Sequence, residues 1–600
     1  MCGVAGIFAY RDIAPLVNRG ELLRIREQMA ARGPDGADLW ISEDEKVGLA
    51  HRRLAIIDLS VAGTQPMEIE SGRFRIAYNG EIYNYRALRK LLESKGHSFR
   101  SSTDTEVLLR LYAEYGTTKF PLLRGMYAFA IWDRENRALI LGRDPFGIKP
   151  LYFADDGHTI RVASQVRALL AGGRVDTTPE PAGHVGFFVW GHVPDPHTLY
   201  RGIRSVPAGT TMRVDANGVR GPAPFTSIRD VLADADRNGR RERFELARSR
   251  LFDSLQDSIH HHLVADVPIG AFLSAGIDSS ALVASARGIA TGHLRTITLG
   301  FNEFRGTESD ETVLAARVSS QYGTNHQTHW INKELFQEDR IRILERMDQP
   351  TINGINAYFV SKSAADAGLK VAISGLGGDE LFGGYPSFDQ VPKAAKAIGH
   401  IPLHAELGRM FRVITSPIFK QLTSPKYASL FEYGGSYGGA YLLRRGLFMP
   451  WELPKFLDGE MVRKGWSDLC LLHRLEETVC NIQSPRHRVA ALEYCWYMRN
   501  QLLRDADWAG MAHSLEVRFP YLDIPLMQAM VPEHVNGRPA SKELLASLLT
   551  PDLQGVIARR RKTGFSVPTR DWISGTSTSG DRERGLRGWA KTVYQHHSRN

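Results

Sequence analysis

Short apolar or alternating runs, broken by turn residues, dominate the first 200 positions. They are LWIS (39–42), VGLAH (47–51), FRIAYNG (74–80), YAFAIWD (127–133), ALILGRD (138–144) and LYFADD (151–156). Runs of this length, rich in aromatic and β-branched residues, predict strands. Two stretches predict helices instead, 20–31 and 104–115, the second apolar at 107, 108, 111 and 112 behind a Thr/Asp cap. Strands with two helix groups predict a layered α+β domain of two or four layers. Over 207–240 sustained periodicity gives way to Gly, Pro, Asp and Arg, which predicts a linker. Beyond it helix and strand alternate: helix 242–263, strand 267–273, helix 279–290, strand 294–301, helices 311–323 and 357–368, strand 369–375. That alternation predicts a parallel sheet covered on both faces. From about 390 to 550 the pattern is mainly helical, and 576–600 is expected to be a weakly ordered tail.

Composition narrows the class. With 600 residues, 43% hydrophobic and 24% charged, the chain buries a sizeable core and is not disordered, collagenous or a coiled coil. No apolar run reaches the roughly 18 residues of a membrane span, and MCGVAGIFAY lacks the basic segment of a secretory signal. Four cysteines without a CxxC pair point to a reducing cytoplasm. The net charge of +9 is spread thinly, its densest run being ARRRK at 558–562. Neither nucleic acid nor a membrane is therefore an expected partner.

The chemistry starts at Cys2. A small residue there permits removal of the initiating Met, which leaves a free α-amine beside a thiol: a base beside a nucleophile. Alone this says little. It is followed by RGPDG (32–36), AHRRLAIID (50–58), YNGEIYNY (78–85), TDTEV (103–107), GMYAFAIWD (125–133) and GRDPFGIKPLY (142–152). In this order the first 206 residues resemble the class II glutamine amidotransferase domain that opens asparagine synthetases. The resemblance implies an N-terminal-nucleophile (Ntn) hydrolase fold, an αββα sandwich. It also implies Cys2 as nucleophile, with the Asn79 side chain and the Gly80 N–H as oxyanion donors. Arg53, Leu54, Ile56, Asn79, Glu81 and Asp104 would contact glutamine, Arg53 on its α-carboxylate. Read without the family, Asn79-Gly80 is also a hairpin turn and Asp104 a helix cap. Gln165 stands where the family usually has Glu.

In the second half SAGIDSS (274–280) follows a strand and opens a helix, which suits an anion at the helix start. It is not a Walker A loop, because no GK[ST] follows. It resembles the pyrophosphate loop SGGxDS of N-type ATP pyrophosphatases, with Ala275 in place of the second Gly. A second strand end carries ISGLGGDELFGGY (373–385). The resemblance implies an ATP site of Leu273, Ser274, Gly276, Asp278, Ser279, Ser280, Thr298, Ser374 and Gly375. Mg²⁺ would lie on Asp278 and Asp379, whose oxygen donors suit it. LLRDADWAGMAHSLEVRFPYLD (502–523) and RRRKTGFSVPTRDW (560–572) resemble late synthetase motifs, and Lys562 matches the lysine that steadies the adenylation transition state.

Together, 2–206 and 241–575 resemble a glutamine-hydrolysing asparagine synthetase of bacterial type. The implied architecture is the α+β sandwich followed by an α/β parallel-sheet domain with a helical C-terminal part. The implied reaction uses glutamine, ATP and a carboxylate, with aspartate first: ATP makes an acyl-AMP, and ammonia freed at Cys2 displaces AMP. The family also encloses a passage between its sites and is often homodimeric. Two departures touch the acceptor side, Leu376 where the family commonly has Glu, and the segment DQPTINGINAYFVSK (348–362). They leave open another carboxylate, such as a uronic acid or a natural-product acid. A further alternative is a ring-forming lactam or peptide cyclase with a structural N-terminal half.

Overall fold

The computed structural model describes residues 2–289, 293–422, 425–535, 538–559, 567–568, 572 and 586–599. The first half is built on two six-stranded antiparallel sheets. Strand Gly3–Ala9 lies inside the first, between Val47–Arg53 and Thr159–Ala163, and all seven of its residues are buried. The second runs Gly218–Pro224, Thr210–Asp215, Ala138–Arg143, Gly125–Asp133, Phe74–Ile82, Met67–Ile69. Val4, Phe8, Leu49, Ala77, Trp132 and Leu141 fill the space between the sheets. Helix Arg19–Glu27 covers the outer face of the first sheet, through Leu22 and Ile25. Helices Tyr85–Glu93 and Asp104–Tyr115 cover the second through Leu88, Leu92, Leu108 and Leu111. The result is the expected αββα sandwich.

Two expectations are corrected. The segment 207–240, expected as a linker, supplies strands Thr210–Asp215 and Gly218–Pro224 and helix Ile228–Arg237. Asp215 pairs with Gly218 across a two-residue hairpin, where Gly218 takes φ +101° at no side-chain penalty. The alternation in TTMRV was too short to outweigh the surrounding Gly and Pro. The end of the tail is likewise helical, Leu586–Arg599. Trp589, Ala590 and Val593 are buried, and Tyr594 stacks on Phe187. Their spacing places one apolar stripe on the protein.

The second half holds a five-stranded parallel sheet ordered Asn325–Ile331, Arg295–Phe301, Ile269–Phe272, Val371–Ile373, Glu516–Arg518. Its central strands are short and apolar, as strands buried on both faces are. Helices then dominate from Ser387 to Met530. The two halves are joined by burial. Helix Pro181–Trp190 is buried at all ten positions, and a Cβ at Gly465 of helix Gly459–Leu469 would collide with the Pro181 carbonyl. Among the described residues no helix is long and apolar enough to cross a membrane.

Candidate functional site

Cys2 directly precedes the inner strand Gly3–Ala9, where Gly3 pairs with Arg52. The facing sheet presents Asn79 on strand Phe74–Ile82. The Cys2 backbone N–H donates to Asn79 Oδ1 at 2.8 Å, and Cys2 Sγ lies 3.9 Å from the Leu54 carbonyl oxygen. Burial pushes the thiol up, while the positive charge of the chain start pulls it down. Asn79 is fully buried, and its Nδ2 has no hydrogen-bond partner among the described residues. Gly80 must be glycine, because a Cβ there would collide with the Met126 carbonyl of the neighbouring strand. Cys2, Asn79 and Gly80 are therefore brought together, with an unsatisfied donor beside a thiol.

The predicted glutamine contacts divide. Arg53 lines a cavity of about 160 Å³ with Asp35, His51, Ser60, Thr64 and Gln65. Its guanidinium donates to Ser60 O at 2.8 Å and to Asp58 O. Leu54 and Ile56 belong to the core, and Glu81 and Asp104 lie outside that cavity's lining. Asp104 is not the cap of its helix: Thr103 is, accepting from Glu106 N. Asp104 Oδ2 accepts instead from Tyr78 Oη at 2.7 Å and Ile82 N at 2.9 Å, and burial pushes its carboxyl up. Glu81 faces the second half, with Arg518 Nη2 at 3.7 Å from its Oε2. Burial and the neighbouring Glu516 push Glu81 well above the usual carboxylate range, whereas Arg518 holds buried Glu516 at about 2.

In the parallel sheet, strand Ile269–Phe272 runs into 273–276 and helix Ile277–Ala286. Ser274 and Ser279 close the turn, Oγ to Oγ at 2.9 Å, and Ser274 Oγ accepts from Gly276 N at 3.2 Å. The next strand, Val371–Ile373, delivers 374–379 against it: a Cβ at Gly378 would collide with Asp278. Both loops line one cavity of about 540 Å³, reached by Leu273, Ser274, Gly276, Asp278, Ser279, Ser374, Gly375, Leu376 and Asp379. Two predicted contacts are not on its wall. Ser280 is fully buried on the inner side of its helix, and the Thr298 hydroxyl turns back to the Leu273 carbonyl. Lys562 lies outside the described residues.

Several residues at these sites carry no readable signal alone. Lys542, opening the short helix Lys542–Ala546, lies 2.9 Å from Asp379 and also contacts Asp278. Arg32, within the RGPDG motif, donates to the Cys2 carbonyl at 3.1 Å and pairs with Asp507 of the second half. Strand Glu516–Arg518 links the sites by its period of two: Val517 lines the large cavity, while Glu516 and Arg518 face Glu81. The Arg518 carbonyl also accepts from Ser374 N at 2.8 Å.

Comparison with known proteins agrees with this division. The glutamine amidotransferase domain family matches residues 1–226, and the asparagine synthase family matches residues 250–588. This chain belongs to the asparagine synthase family. It is similar to asparagine synthetase [glutamine-hydrolyzing] 1 of Bacillus subtilis, 31% identical over 96% of this chain and 88% of that protein. A putative asparagine synthetase of Mycobacterium tuberculosis H37Rv is 31% identical over 92% of this chain and 84% of its own. Asparagine synthetase B of Escherichia coli is 31% identical over 66% of each chain. A glutamine amidotransferase half followed by an asparagine synthase half makes this chain a glutamine-dependent amide synthetase, a carbon–nitrogen ligase with glutamine as amido donor. The ring-forming alternative is not favoured.

Proposed function

We propose that the chain converts L-aspartate to L-asparagine with glutamine and ATP. Cys2, freed at its α-amine by loss of Met1, attacks the glutamine carboxamide. Its thiol loses its proton to that amine. The oxyanion that forms is received by Asn79 Nδ2, the buried donor beside Cys2 left unpartnered among the described residues, and by the Gly80 N–H. The C–N bond then breaks as the amine returns its proton to the departing ammonia, and water hydrolyses the thioester to glutamate and the free thiol. Arg53 orients the glutamine α-carboxylate, a task suited to a guanidinium fork.

At the second site a carboxylate does not react with ammonia directly, because oxide is a poor leaving group. Its oxygen attacks the ATP α-phosphorus, pyrophosphate departs, and the acyl-AMP is opened by ammonia with loss of AMP. Asp278 and Asp379 fit Mg²⁺: both are oxygen donors on the cavity wall, and the Lys542 ammonium already stands between them as a positive charge. The ion, when bound, neutralises phosphate charge. Ser274, Gly276 and Ser279 provide the turn that faces the phosphates, at the start of a ten-residue helix.

The observation that carries this reading is the three-residue strand Glu516–Arg518, which touches Glu81 beside the Cys2 corner and lines the carboxylate-bearing cavity. Aspartate is supported by the relatives' names and identities. Purified protein given glutamine, ATP, Mg²⁺ and aspartate should form glutamate, AMP, pyrophosphate and asparagine in equal amounts. Glutamate without AMP would direct the search to another carboxylate.

A further inference from the structure

Beyond the two loops, the large cavity is closed by a wall that includes Asn353, Asn356, Tyr497 and Asp505. The helix that carries Tyr497 and Asp505 is unusual. Residues Glu493–Leu503 are π-helical and continue without a break into α-helix Arg504–Met511, so Tyr497, Leu502, Asp505 and Ala506 all reach the cavity from one rod.

Asp505 is only 3% exposed, and its two oxygens accept from neutral groups: Oδ1 from Trp508 Nε1 at 3.0 Å, Oδ2 from Thr351 Oγ1 at 3.3 Å. The adjacent Arg504 directs its guanidinium elsewhere, to Asp195 Oδ1 at 2.7 Å and to the Val193 carbonyl. Among the described residues none forms an ion pair with Asp505. A carboxylate taken from water without a cation is unfavourable, and burial holds this one at about 7. The backbone leaves room for it. Gly354 sits at φ +89°, and a Cβ there would stand 3.2 Å from Asp505 Cγ and 2.6 Å from the Trp508 ring. Leu376, which also lines the cavity, offers no charge.

We infer that Asp505 receives the ammonium group of the acceptor, and so restricts the enzyme to carboxylic acids that also bear a protonated amine. The inference deepens the function proposed above and rests on it. The reacting carboxylate lies toward Ser274 and Ser374 at the nucleotide loops, and the amine lies toward the helix. With leucine at 376, that loop position contributes no charge to acceptor recognition. Asp505 thereby sets acceptor class without taking part in phosphorus chemistry.

The test compares AMP release with aspartate and with succinate, which has the same carbon chain and no amine. Wild-type enzyme and the D505N variant are assayed with glutamine, ATP and Mg²⁺, and glutamate release reports whether the variant is folded. Wild type should favour aspartate over succinate by about tenfold or more in kcat/KM. D505N should raise KM for aspartate by roughly 30-fold or more, as when one partner of a buried charged pair is removed, while KM for ATP and succinate shift by less than about threefold. A wild type that uses succinate as well as aspartate overturns the inference, and that comparison stands whether or not the variant folds. An active wild type whose D505N variant keeps the same preference overturns the inference alone. A wild type that releases no AMP with aspartate overturns the proposed function, and the inference with it.

Discussion

Arg32 and Asp507, 475 positions apart in the chain, form a buried two-pronged ion pair, Nη1 to Oδ2 at 2.7 Å and Nη2 to Oδ1 at 3.0 Å. The third donor of the same guanidinium, Nε, holds the Cys2 carbonyl at 3.1 Å. One side chain thus fixes the thiol-bearing end of the first half to a helix of the second. Removing either partner strands a buried charge, which costs about 3–5 kcal/mol. D507N should therefore lower the thermal midpoint and loosen Cys2, so that glutamate is released in excess of AMP. Equal yields from a destabilised variant would show that the pair holds the fold without aligning the thiol.

Cys2→Ala should abolish glutamine-dependent synthesis, by about 10³-fold or more, while ammonia-dependent synthesis survives. The two activities are separated by measuring AMP release with glutamine and then with ammonium chloride. Equal loss of both would contradict separate sites.

D278N and D379N should stop AMP formation and leave glutamate release measurable, because both side chains lie on the far cavity and neither contacts Cys2. Gly378→Ala should act alike without changing charge, since its methyl would collide with Asp278. AMP release at the normal rate from both Asn variants would remove them as Mg²⁺ ligands.

Leu376→Glu adds a carboxylate to the cavity lining. It should change acceptor KM and turnover while leaving KM for ATP within about twofold, because 376 is not among the predicted ATP contacts of its loop, Ser374 and Gly375. A large loss of ATP affinity with unchanged acceptor turnover would place 376 against the nucleotide instead.

Asp505 also gives the fold a pH signature. Its folded-state value of about 7 lies above the unfolded value near 3.9, so the native state binds more protons between them. Stability from this group is therefore fully present below about pH 4 and falls as pH rises to about 7, by on the order of 4 kcal/mol. Thermal midpoints of wild type and D505N from pH 5 to 8 should diverge in slope, the variant being flatter. Parallel curves would mean that the group does not titrate there.

The strands whose side chains alternate or run apolar were readable from local sequence, as 74–80 and 127–133 show against Phe74–Ile82 and Gly125–Asp133. Strand Gly3–Ala9 was not, because a central strand buried on both faces and rich in small residues has no alternation to detect. The loops 274–280 and 374–379 were legible because close approach of two backbones demands small residues in sequence. Ser280 and Thr298 show the limit of carrying a motif letter by letter, since helix rotation and strand pleat turn both side chains off the cavity. Arg32 with Asp507, Lys542 between Asp278 and Asp379, and Asp505 behind Gly354 are long-range partnerships, which no window of sequence displays.

The central claim is that nitrogen freed at Cys2 is captured by the activated acid at the other site. Synthesis run with glutamine labelled by ¹⁵N in its amide, in a large excess of unlabelled ammonium, tests it directly. An asparagine amide carrying the label, with ammonium contributing little, is the expected result. An amide isotopic composition matching the bulk ammonium would contradict the account.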